Sequence, residues 1–365
     1  MLLNNEKKAQ LINDYELFWQ HKLDRPIMYV NLVPHTTGQY NPYTSKARML
    51  KMMHDENIKP EDVAKEYRNV FNNEIYLGDG FPLFYLRSIG VLGGMMDEPY
   101  SMDEVNGTIW FEELHKEPED IHMQLNKNSQ MYRRGMQLYK AMQEEFGDDV
   151  AFGVPDFGFV NDIYSSLRGS NNSLMDLYDA PEEVLRVYDE IYDAFKEAYI
   201  EFNEVINKGS KLGYTAWIPL LSQIPYNVGE ADFICMISKQ MAGEFVIPYL
   251  KKCNDLMDRC FYHLDGPGAV MHLPEIIDIG FDGVQWINGA GAAPLDDEKW
   301  THIYKEVLEA GQLLQVFVYS AEELRFMDHL YNMFGSLKNI AFICYGSQDD
   351  EEQFLKYMDK YNIPR

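Results

Sequence analysis

The chain has 365 residues, 46% of them apolar and 14% aromatic, enough to bury one large core or two smaller ones and too much for a disordered chain. Its 32 basic residues against 58 acidic ones leave a net charge of -26, which repels both a nucleic-acid backbone and an anionic bilayer. No apolar run approaches the roughly 20 residues that span a membrane, the start MLLNNEKKAQ has no secretory apolar stretch, and four cysteines without a CxxC pair read as thiols. A cytoplasmic protein without nucleic-acid or membrane partners is expected.

In chain order, residues 1 to 24 read as a helical N-terminal extension, and residues 25 to 365 as one domain, since no Pro/Gly/Ser-rich linker divides them. The clearest helix begins at Asp179-Ala180-Pro181-Glu182, where Asp179 suits a cap, Glu182 a capping box and Pro181 the first turn. Val184, Tyr188, Ile191, Phe195, Ala198, Phe202 and Val205 then form one apolar stripe. Residues 238 to 258 repeat the pattern, and Pro248 is expected to kink it. Strands follow near 260–264, 282–287, 313–318 and 339–344, each separated by a helix-length segment. Such spacing favours parallel strands, and about eight candidate strands favour a closed (β/α)8 TIM barrel over an open doubly wound sheet.

In a barrel of that kind the active site lies at the C-terminal ends of the strands. His263 and Asp265, in the stretch YHLDGPGA, and Cys344 all fall there. Histidine, carboxylate and thiolate are zinc ligands, and three protein ligands with an open position make a catalytic rather than a structural site. The same residues also suit a plain structural role: a histidine bonded to a neighbouring strand, an aspartate capping the turn at Gly266, and a small buried thiol.

The chain resembles the uroporphyrinogen decarboxylase superfamily, which includes methyltransferases that serve corrinoid proteins. The residues that carry the likeness are Arg25-Pro26-Ile27, Val154-Pro155 through Ile163-Tyr164, the run from Leu174 to Glu182, Pro248-Tyr249 with His263, and Gly280-Phe281-Asp282. The resemblance implies a (β/α)8 barrel and a small-molecule substrate. Asp79 matches an aspartate of the decarboxylase that receives pyrrole N–H groups, and Tyr164 a tyrosine that touches substrate.

Departures from the family then choose the chemistry. Where the decarboxylase carries two arginines that grip carboxylates, this chain has His35 and Gln39, with Tyr40 kept beside them. A polycarboxylate needs cations, so uroporphyrinogen is not the expected substrate. The methyltransferase branch holds zinc through His-x-Cys at one strand end and a cysteine at the last. His263 and Cys344 match, and Asp265 stands in place of the first cysteine. A carboxylate is a harder donor than thiolate and leaves the metal a stronger Lewis acid. The expectation is therefore a zinc-dependent methyltransferase working with a corrinoid protein or a small methyl donor, with a homodimer as the expected assembly. A decarboxylase, or a tetrapyrrole or corrinoid carrier without chemistry, is the alternative. Its expected site comprises Asp79, Tyr164 and His35 as catalytic groups, Gln39, Tyr40, Trp217, Trp286 and Asn288 around the substrate, and His263, Asp265 and Cys344 on zinc.

Overall fold

The computed structural model describes residues 2–34, 50–88, 90–103 and 107–365. Within them twelve strands run in chain order: β1 Ile27–Val33, β2 Ile75–Gly78, β3 Leu83–Phe84, β4 Tyr100–Asp103, β5 Thr108–Phe111, β6 Ala151–Gly153, β7 Tyr214–Thr215, β8 Tyr226–Glu230, β9 Arg259–Asp265, β10 Gly283–Ile287, β11 Leu313–Val318 and β12 Ile340–Ser347. The central sheet has the order β2-β1-β12-β11-β10-β9-β8 and is parallel except where β2 meets β1. A second sheet, β3-β6-β7, is parallel throughout, and β4 and β5 form a separate hairpin.

The fold is thus mixed α/β around a largely parallel sheet, as the alternation of elements implies. Among the described residues the ladders stop between β2 and β3 and between β7 and β8, so backbone hydrogen bonds do not close one ring of eight strands. The reason is local. β3 and β7 are two residues long, and β2 runs against its neighbour.

The two faces of the central sheet pack against different partners, and side chains alternate between them with the period of two that a pleated strand imposes. Tyr29, Tyr226, Val228, Phe261, Leu313, Ala341 and Ile343 turn to one face, where the helix α1 (Asn5–Trp19) covers them with Leu11, Tyr15, Phe18 and Trp19. Val30, Tyr262, Leu264, Trp286, Val316, Phe342 and Cys344 turn to the other, under the long helical layer. Asn4 starts α1 by accepting the Lys7 amide (2.8 Å).

The predicted helical stripe is buried from Val184 to Phe202, within a helix Pro181–Gly209. Its start differs from expectation. Asp179 ends a preceding helix, Ser170–Asp179, and Ala180 makes the joint without a side-chain cap, so Pro181 alone marks the entry. Before Pro248 the helix widens into a π-turn at Ala242–Val246, which accommodates the missing N–H.

Candidate functional site

A row of polar side chains crosses the α1-side face one layer below the C-terminal strand ends. Register places Glu230 of β8 beside His263 of β9, His263 beside Gln285 of β10, and Gln285 beside Gln315 of β11. All four share the parity of Val228, Phe261 and Leu313, so they point the same way. Glu230, Gln285 and Gln315 are buried, and Glu230 Oε1, Gln285 Nε2 and both polar atoms of Gln315 have no hydrogen-bond partner among the described residues. Polar groups so placed cost stability unless something else meets them, which marks the row as more than packing.

His263 is the hinge of this row. Its Nδ1–H donates to Gln285 Oε1, which leaves the Nε2 lone pair facing outward, 3.9 Å from Asp232 Oδ1. The Trp217 ring stands edge-on to the imidazole at 5.0 Å and an interplanar angle of 81°, fixing its tilt. Asp265 follows on the same face of β9. Asp232, His263 and Asp265 can each offer one ligand atom, all within 4.8 Å of one another, a spacing that a single divalent ion can draw in. The turn Gly266–Ala269 follows directly on Asp265. Gly266 has φ +73°, and a Cβ on Gly268 would meet the Cys235 side chain at 2.9 Å, so both positions favour glycine.

Around this group the carboxylates outnumber their partners. Burial, and then the charge of Asp232, push Asp156 up to about 7. Asp162 is likewise pushed up to about 7, by burial and Asp232, against two backbone bonds it accepts from the amides of Phe233 and Asp232 (both 2.9 Å). Glu230 is held well above the ordinary carboxylate range by burial, then by Asp156, Asp162 and Asp232. Asp232 is raised by burial although His263 opposes the shift. Asp156 and Asp162 thus titrate near neutral pH, where a carboxyl group can both hold and release a proton.

The residues expected from sequence separate into those that meet here and those that do not. His263 and Asp265 meet, and Trp217 joins them. Cys344 does not: two residues on from Phe342, it faces the helical layer, fully buried among apolar side chains that hold its thiol in the neutral form, and the third member of the group is Asp232 instead. Asp79 lies at the far end of the sheet, because β2 runs antiparallel to β1 and ends beside the start of β1. There it is fully buried and accepts both guanidinium nitrogens of Arg25 (2.7 and 2.8 Å) and the Met28 amide (2.8 Å). Tyr164, on the helix Val160–Arg168, donates to Asp176 (2.7 Å), which also binds Arg168, in a network inside the helical layer.

Trp286 has the opposite parity to Gln285 and packs on Trp300 at 5.1 Å. Asn288 ties its loop by donating to the Ala293 carbonyl (2.7 Å) and lines a small pocket with Phe317 and Tyr319. His35, Gln39 and Tyr40 lie outside the described residues. Sequence reasoning missed Asp232, Glu230, Asp156 and Gln285. The signal was present in Tyr226-Asn227-Val228-Gly229-Glu230, whose alternation carries Glu230 onto the face of His263.

No family model matches this chain, and no curated protein matches it in sequence. Among solved structures, a methyltransferase from Methanosarcina mazei is similar, with a TM-score of 0.61, 13% sequence identity, and coverage of 96% of this chain and 99% of that one. At that identity the likeness is one of fold, extending over nearly the whole of both chains.

Proposed function

We propose that the chain is a metal-dependent methyltransferase of the uroporphyrinogen decarboxylase-like type, a divergent (β/α)8 barrel whose two largely parallel sheets surround one substrate mouth. The observation that carries the reading is the convergence of Asp232, His263 and Asp265 within 4.8 Å at the C-terminal strand ends, on a fold shared with a known methyltransferase. These residues fit zinc, or another divalent ion that accepts nitrogen and oxygen donors.

Bound there, the ion supplies Lewis acidity toward an oxygen of the methyl donor. The chain's own residues do the rest. Gln285 fixes the tautomer and aim of His263 through Nδ1. Loss of a methyl group from an oxygen leaves an anion that needs a proton, and we assign its delivery to Glu230, buried on the face of His263 and raised above the ordinary carboxylate range by burial and then by its acidic neighbours. The methyl group itself goes to an acceptor outside the chain, for which a corrinoid protein is the proposed partner. A mouth this rich in carboxylates disfavours a polycarboxylate substrate such as uroporphyrinogen.

The test pairs metal content with transfer. Purified protein exposed to zinc should retain about one ion per chain, and His263→Ala and Asp265→Ala should retain only a trace while keeping the native circular dichroism. Wild type should also methylate free cob(I)alamin from a panel of small methoxy compounds, followed by the cobalt absorbance. Folded wild-type protein that holds no divalent ion would overturn the reading.

A further inference from the structure

The same mouth has a cationic side. The Asp156 amide donates to the Leu86 carbonyl (3.2 Å), so Arg87, the next residue after Leu86, emerges at the same end as Asp156. β12 brings Tyr345 to that end opposite Asn31, and Asn31 Nδ2 donates to Glu74 (3.1 Å). The Arg87 guanidinium lies 5.3 Å from the centre of the Tyr85 ring, is exposed, and makes no ion pair among the described residues. Glu74 is the carboxylate whose charge reaches it, yet Glu74 is occupied by the Tyr76 hydroxyl and by Asn31.

In a chain with 58 acidic residues against 32 basic ones, an arginine left without a carboxylate is not short of candidates. From Arg87 an aromatic wall leads back toward the metal group. Tyr345 stacks on Tyr319 at 6.4 Å and 16°, Tyr319 stacks on Phe317 at 5.5 Å and 28°, and the Tyr319 hydroxyl is held up to about 12 by burial, then by the charges of Glu323 and Asp265.

We propose that Arg87, flanked by Tyr85 and Tyr345, anchors the carboxylate of a planar substrate whose ring lies along Tyr345, Tyr319 and Phe317. The opposite end of that substrate then meets Asp232, His263 and Asp265. A single guanidinium forks onto one carboxylate with two parallel hydrogen bonds, and a ring edge-on or stacked on tyrosines adds contact without adding charge. A dianion such as phosphate suits the place poorly, because one cation faces a cluster of carboxylates across the mouth. The inference rests on reading this mouth as the substrate site, and it does not depend on the metal.

The experiment is isothermal titration of the full chain, in EDTA, with benzoate, with benzamide as its uncharged analogue, and with inorganic phosphate. Benzoate should bind, with benzamide and phosphate at least about 10-fold weaker, the size of one lost charge-assisted contact. Arg87→Gln should weaken benzoate about 10-fold or more and remove its preference over benzamide, and Arg87→Lys should keep part of that preference. Benzoate affinity in EDTA and with zinc added should agree within about twofold. This separates the anchor from the metal reading, since loss of zinc with benzoate binding intact would damage only the latter. Benzoate bound equally by wild type and Arg87→Gln, phosphate bound more tightly than benzoate, or no benzoate binding at all would each overturn the anchor.

Discussion

The two ends of the central sheet's α1-side face both bury carboxylates, and they treat them in opposite ways. At the end covered by α1, Asp79 is fully buried and forks onto Arg25, and Glu16 of α1 meets both terminal nitrogens of Arg259 at 2.6 and 2.7 Å. The hydrogen bond from Arg259 holds Glu16 below its ordinary range despite burial. At the other end Glu230, Asp156 and Asp162 form no ion pair among the described residues, and all three are raised. A paired buried charge is architecture, whereas a cluster of unpaired ones is a cost that folding alone does not explain.

The largest effect that tests this contrast belongs to the paired end. Arg25→Met leaves Asp79 buried without its hydrogen-bonded cation, and should cost about 3–5 kcal/mol in urea denaturation. Zinc content of the protein that remains folded should not change. A loss below about 1 kcal/mol would mean that the α1 end tolerates unpaired charge as the mouth does, and the contrast would dissolve.

The next effect belongs to the mouth. Gln285→Ala removes the acceptor that holds His263 Nδ1–H and should weaken zinc binding by about 10–100-fold, read by competition with a chelating dye. Unchanged affinity would show that His263 needs no second partner to aim Nε2.

How much of this was legible beforehand follows from what each residue type can signal alone. The strands from β9 to β12 and the long helix were readable because apolar periodicity is a local property. His263 and Asp265 were readable because they end a strand two residues apart. Asp232 was not, since it comes from a different strand's loop and only the parallel register of β8 against β9 brings it over. Asp79 was misplaced because a sequence does not say that β2 runs backward. Tyr164 and Trp286 had the right composition for a pocket and the wrong side of their elements. The closed barrel was an inference from strand count and from the family resemblance, and the ladders show the parallel sheet without drawing the ring.

A smaller effect separates the two kinds of carboxylate by pH. In the unfolded chain Asp156 titrates near the ordinary aspartate value of 3.8, and in the folded protein burial and Asp232 push it up to about 7. As pH rises from about 4 to about 7 the unfolded state gives up this proton first, so the group's contribution to stability is present below that window, declines through it and is flat above. Asp156→Asn should therefore match wild type near pH 4 and melt a few degrees higher near pH 8, measured by calorimetry in EDTA. A variant less stable than wild type at pH 8 would mean that the ionised carboxylate has a partner.

The smallest expected effect concerns Cys344, which the family resemblance assigned to the metal. Along β12, Ala341 and Ile343 turn to α1 while Ile340, Phe342 and Cys344 turn to the helices, and Cys344 sits between Val30 of β1 and Val318 of β11, both fully buried. A thiol in that place is a small apolar side chain. Cys344→Ala removes one buried sulfur and should cost about 1 kcal/mol, or roughly 1–2 °C in melting temperature for a chain of this length. Zinc per chain should be unchanged, and the native protein should show no reaction of this thiol with an aromatic disulfide reagent. Cys344→Ser should cost more than Cys344→Ala, since it places a hydroxyl where nothing polar waits. If instead the alanine variant kept its fold and lost its zinc, the thiol would have to reach the α1 side through a rearranged β12. The ligand set would then be the one that sequence alone suggested.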